Sequence, residues 1–194
     1  MQFNVFDVMH HGTHEKQLSN VFGWLLDTQG THHLEDRFLR IFIEEVNRDL
    51  PESGQFAATD YLVLQEVNTA LGTGQAPDIS DLVLMNDEAV IVVENYYTSD
   101  GHGHNYAGYL SHSRRDGRQG AVVLLCEDYD SARQTQGWEE ASVVTYGKLL
   151  RSSLAVGQQR PSVSTKASRT LFIHRPDVPQ VRQGEWPHGR SAGA

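Results

Sequence analysis

The chain has 194 residues, 25 acidic and 16 basic side chains, a net charge of −9 and a single cysteine. That length is enough to bury a real core in one domain, and one cysteine rules out a disulfide framework. No apolar run approaches the roughly eighteen residues of a membrane span and the first ten residues lack a signal-peptide pattern, so a cytoplasmic protein without membrane contact is expected.

Residues 1–13 carry no strong periodicity. Leu18, Val21, Phe22 and Leu25 form a helix face ended by Asp27-Thr28-Gln29-Gly30. Leu34, Phe38, Ile41, Phe42 and Val46 form a second, stopped between Asn47 and Pro51. Tyr61 to Val67 reads as a strand, and Leu71-Gly72-Thr73-Gly74 as a flexible link into two short apolar runs. After these come a loop rich in Gly and His, from Asp100 to His104, and a helix from Asn105 to about Arg115. Ala121 to Cys126 is a buried strand, its cysteine an inert core residue. Ser142 to Tyr146 is another strand, and Lys148 to Ala155 a short helix. Strands interleaved with helices fit a central mixed β-sheet covered by helices on both faces, an α/β fold. Trp24 and Trp138 are expected in the core. From Gly157 onward four of the six prolines gather, with Ser, Gln and Gly, and only Thr170 to Ile173 looks able to pair. The expected organisation is therefore a domain over 1–156 and a weakly packed or partly disordered extension over 157–194, with Trp186 exposed in it.

The two apolar runs, Leu82 to Met85 and Ala89 to Val93, flank a polar break at Asn86-Asp87-Glu88. They read as a hairpin with Asp81 and Glu94 at its open end. If Asp87-Glu88 form the loop, Asp81 stands directly opposite Glu94, where Cβ atoms are roughly 4.5–5.5 Å apart. If Asn86-Asp87 form it, Asp81 faces Val92 and lies diagonal to Glu94 on the same face. Both registers put Asp78 on the opposite face from Glu94; a three-residue loop would bring it over. Two acids converging on an apolar sheet repel unless a cation lies between them, which points to a divalent metal site and to phosphodiester hydrolysis.

The surrounding residues carry a resemblance. Pro77-Asp78-Ile79-Ser80-Asp81 followed by Val92-Val93-Glu94-Asn95-Tyr96-Tyr97 resembles the PD-(D/E)XK nuclease superfamily. Three further pieces are similar to one bacterial branch of it. They are His14 to Asn20 leading into Trp24-Leu25-Leu26-Asp27 with Gly30-Thr31-His32, then Asn105-Tyr106 with Tyr109, then Trp138 to Leu150. The resemblance covers roughly residues 14–155 and implies a restriction-endonuclease-like core. It also implies Mg²⁺ (Mn²⁺ as substitute) bound by Asp81 and Glu94 with the Asn95 carbonyl as a third ligand, Asp78, which follows the proline, competing with Asp81 as the motif aspartate, Glu15 of the first helix in support, and DNA as substrate. Nucleases that cut both strands often work as dimers, so a homodimer is compatible. One position departs from the pattern. Where the family has a lysine two residues after the Glu, this chain has Tyr96, neutral at pH 7 with a pKa of about 10. No Lys or Arg lies between Glu66 and His112; Lys16, or Arg114 and Arg115, are the candidates for a migrated charge.

Each candidate has a plainer reading. Asp81 and Glu94 can be solvated strand-end acids, Asp78 an Asx-type turn after Pro77, Glu15 an acid favoured by a helix's first turn, and Tyr96 a packed aromatic. His10, His11, His14, His102 and His104 suggest zinc by spacing, but no cysteine partner or His-Glu-x-x-His pattern accompanies them. His102 and His104 lie just past the acids, within reach of a phosphate or water there. The charge argues against a phosphate-tracking surface. Residues 157–194 hold six basic and two acidic side chains, leaving ten basic and 23 acidic in 1–156; DNA binding then needs a local patch, a metal-neutralised acid cluster or a basic partner. The favoured function is Mg²⁺-dependent DNA cleavage. The alternatives are a catalytically inactive nuclease-fold binding or assembly module and, more weakly, a His-assisted metallohydrolase.

Overall fold

In the computed structural model the described backbone covers residues 14–70, 76–96 and 103–158, with side chains described over 16–70, 76–96 and 103–153. Helices α1 (His14–Leu26) and α2 (Arg37–Asn47) precede a sheet of β1 (Leu62–Asn68), β2 (Ile79–Met85), β3 (Ala89–Asn95), β4 (Gln119–Cys126) and β5 (Ser142–Thr145). Helix α3 (Tyr106–Ser113) connects β3 to β4, and α4 (Tyr146–Gln158) follows β5. The strands lie in sequence order, β1-β2-β3 antiparallel and β3-β4-β5 parallel. This is the expected mixed sheet. No described helix is long and apolar enough to cross a membrane. The expected strand over 170–173, His10, His11, His102 and Trp186 lie outside the described residues.

The continuous apolar character of β2 to β4 follows from burial on both faces. On one face Leu82, Leu84, Ile91, Val93, Val123 and Leu125 pack against α1, α2 and α4 through Phe22, Leu26, Phe42 and Leu149. On the other Val83, Val90, Val92, Val122 and Leu124 pack under Tyr106, Tyr109 and Trp138. Trp138 is in the core as expected, 2 % exposed, whereas Trp24 is 45 % exposed. Positions 18, 22 and 26 of α1 turn inward at i, i+4 spacing, and residue 24 falls two positions on, across the helix. Its indole N–H donates to Thr31 at 3.1 Å, and its ring meets His32 edge-on.

The far end of α3 carries an acid-sensitive group. Burial, then Arg115 and Arg118, hold His112 below the ordinary histidine value, and its Nδ1 has no hydrogen-bond partner. Below about pH 6.5 the unfolded chain takes up a proton that the folded imidazole resists, so this contribution is present above that pH and is lost as pH falls. His112→Phe should flatten the acid limb of a melting-temperature profile between about pH 7 and 5; an unchanged slope would place the sensitivity elsewhere.

Candidate active site

The hairpin closes on the two-residue loop Asp87-Glu88. Asn86 Oδ1 accepts from the N–H groups of Glu88 at 2.9 Å and Ala89 at 2.7 Å, and Asn86 N–H donates to the Ala89 carbonyl at 2.9 Å. This Asx-type cap selects one of the two open registers. Leu82 pairs with Val93, and one step further the ladder sets Asp81 opposite Glu94. Asp81 Oδ2 accepts the Asn95 backbone N–H at 2.9 Å. Burial pushes the Asp81 carboxyl above its ordinary value, opposed by that N–H, the Ser19 hydroxyl and His104, and reinforced by Glu66.

Glu94 is 4 % exposed. The Tyr109 hydroxyl from α3 donates to its Oε2 at 3.0 Å, and His104 Nε2 lies 3.4 Å from its Oε1. Burial pushes the Tyr109 phenol far up, followed by the charges of Glu94 and Asp78, with Asp81 adding less. The phenol keeps its proton and acts as a donor among three carboxylates.

Asn95 ties this end of the sheet to two helices. Its Nδ2 donates to Ser19 Oγ at 2.8 Å, and its Oδ1 accepts from Tyr146 OH at 2.6 Å. Tyr96 lies just beyond β3, half-buried, its N–H donating to the Leu125 carbonyl at 3.0 Å. Glu15 is in the first turn of α1, with its side chain outside those described.

Asp78 departs from the strand-parity expectation. It precedes β2, so the alternation of the ladder does not apply to it. Its carbonyl accepts from Thr69 N–H and Oγ1 at 2.8 Å each, and its carboxylate pairs with His104 Nδ1 at 2.6 Å. Asp78 therefore reaches Glu94's side of the sheet through His104.

The candidates for a migrated charge separate clearly. Arg114 abuts Gly120, which pairs with Val90, whereas Glu94 pairs with Leu124. Four ladder steps are roughly 13 Å, so Arg114 and the adjoining Arg115 belong to the opposite end of the sheet. Lys16 lies 2.5 Å from Glu66, the β1 residue across from Asp81. Glu66 has φ 52°, the left-handed region, inside a strand, a strained conformation for a non-glycine residue. Asp81 feels its charge, so Lys16 answers the acidic row from its β1 side.

Among the described residues no three His, Cys, Asp or Glu side chains are grouped to hold a metal ion. Mg²⁺ has lower demands, since it takes one or two carboxylates and completes its shell with waters and substrate phosphate oxygens. The carboxylates gathered at this end of the sheet, Asp81 on the Asn95 N–H and Glu94 and Asp78 on either side of His104, are of that donor chemistry.

Tyr109 entered only through the resemblance, whereas sequence spacing flagged Asp81 and Glu94 and noted His104 as near the acids. It missed the Asp78–His104 bond, the Ser19–Asn95–Tyr146 chain and the Trp138 indole donating to the His104 carbonyl at 3.1 Å. These partners come from separate elements, and no local pattern marks them.

A family model described as the PD-(D/E)XK nuclease superfamily matches residues 3–172. No curated protein and no solved structure matches the chain.

Proposed function

The chain belongs to the PD-(D/E)XK nuclease superfamily, with its restriction-endonuclease-like α/β fold, and from that premise we propose that it hydrolyses DNA phosphodiester bonds with a divalent cation, Mg²⁺ or Mn²⁺. Asp81, Glu94 and the Asn95 carbonyl are the proposed ligands, with Glu15 in support. The observation that carries this reading is the hairpin register, which pairs Leu82 with Val93 and so puts Asp81 and Glu94 at the next position of each strand, at one end of the sheet. When bound, the cation supplies Lewis acidity at a phosphoryl oxygen and a water of lowered pKa. The chain's own part is to hold that chemistry in place. Tyr109, a donor at Glu94, keeps one oxygen of the carboxylate engaged, and the hydrogen bonds to Asp81 limit its freedom.

Calorimetry with Mn²⁺ on the full chain tests the ligands. Asp81→Asn and Glu94→Gln should each abolish binding, with Asp78→Asn milder. Glu94→Gln should also remove Mg²⁺- or Mn²⁺-dependent nicking of plasmid DNA. Undiminished Mn²⁺ binding in the double variant Asp81→Asn/Glu94→Gln would sink the assignment.

A second reading rests on Tyr96, which stands where the family has its lysine. A nuclease fold that kept its acids but lost that charge would serve as a nucleic-acid binding or assembly module. Native protein that binds Mn²⁺ yet leaves plasmid intact would select this reading.

A further inference from the structure

We infer that His104, oriented by Asp78, is a positioning residue for Glu94, an inference that rests on the reading of Glu94 as a ligand. The ring is clasped on several sides. Asp78 Oδ1 lies 2.6 Å from Nδ1, while Asp78 Oδ2 accepts the next backbone N–H, that of Asn105, at 3.1 Å. The His104 carbonyl takes the Trp138 indole N–H at 3.1 Å. The imidazole lies against the Tyr109 ring, centroids 5.6 Å apart and planes tilted by 31°. With its Nδ1 edge and backbone fixed, the remaining nitrogen, Nε2, is set toward Glu94 Oε1 at 3.4 Å, and Tyr109 holds the other oxygen of the same carboxylate.

The consequence follows from burial. A carboxylate that is 4 % exposed has little water to orient it, so protein groups choose its rotamer. Two of them stand on one wall, the start of α3 and the turn before it. Partners that hold a ligating carboxylate typically affect metal affinity by about 10–100-fold. The arrangement also gives Asp78 a role of its own. It anchors the histidine that reaches Glu94, from the position just before β2.

The test uses the full-length protein and two independent readouts. The first is metal-free. In chelator, the side-chain carboxyl carbon of Glu94, assigned by its loss in Glu94→Gln, is followed by ¹³C NMR. Asp78→Asn and His104→Ala should each move it, and Asp78→Asn should add little in the His104→Ala background, because the influence of Asp78 passes through the ring. The second readout is Mn²⁺ affinity by calorimetry. His104→Ala should weaken it by about 10–100-fold, and His104→Gln, which keeps a donor near the position of Nε2, should recover part of the loss. The glutamine variant also serves should the alanine variant fail to fold. A Glu94 signal unmoved by both Asp78→Asn and His104→Gln or Ala would overturn the inference. Native protein that binds no Mn²⁺ but shows the coupled shifts would overturn the ligand assignment and still support His104 as the group that sets Glu94.

Discussion

Replacing Tyr96 by lysine is expected to raise Mg²⁺-dependent plasmid nicking by on the order of 10²–10³, about 3–4 kcal/mol of transition-state stabilisation. The residue follows Asn95, the last position of β3, two positions after Glu94. Its N–H donates to the Leu125 carbonyl and so continues the β3–β4 pairing by one residue, and alternation carried through that residue is expected to put an ammonium on the face of the carboxylate that the proposed reaction uses. The native phenol offers a hydrogen bond in place of the ammonium that a lysine would bring. Lys16 does not replace it at that place, since it pairs with Glu66 across β2 from Glu94. Nicking assays of native, Tyr96→Lys and Tyr96→Lys/Glu94→Gln proteins check the expectation. The lysine variant should gain activity and the double variant should lose it. A lysine variant no faster than native protein would mean that charge at this position is not what limits the reaction.

The largest expected effect on stability is at Trp138. Its ring meets Tyr106 and Tyr109 edge-on at centroid distances of 5.6 and 5.9 Å, and its indole N–H holds the His104 carbonyl. The preceding Gly137 has φ 96° and lies against Tyr106, so the backbone that presents the indole depends on a conformation glycine adopts without strain. Truncating a buried Trp to Ala costs about 3–5 kcal/mol. For a domain of this size that lowers the melting temperature by on the order of 10 °C. Trp138→Phe keeps most of the ring and loses the hydrogen bond, so its cost should be much smaller. Thermal melts of the two variants in chelator check this. A Trp138→Ala protein that melts with the native one would show that this face of the sheet does not depend on the indole.

The two effects differ in how far the sequence foretold them. Alternation along Asp81 to Met85 and Ala89 to Glu94 put the two acids on one face in either tight-turn register, because side chains of a strand repeat every two residues. Local chemistry decided the register itself, through Asn86 capping the turn. The order of helices and strands was likewise legible, since each amphipathic or continuously apolar run must bury its face in a layered α/β core.

Tertiary structure alone decided what surrounds the acids. Asp78 lies outside the ladder, so strand parity misdirected it, and only the approach of His104, 26 residues later in the chain, turned it toward Glu94. Arg114 and Arg115 looked available in the sequence, yet the direction of α3 carries them to the far end of the sheet. Trp24 is apolar by type, but the rotation of α1 about its axis leaves it outside. Periodicity reports which residues share a face within one element. How separate elements converge depends on the packing of the whole chain, and the polar partners of Glu94 are set by that packing.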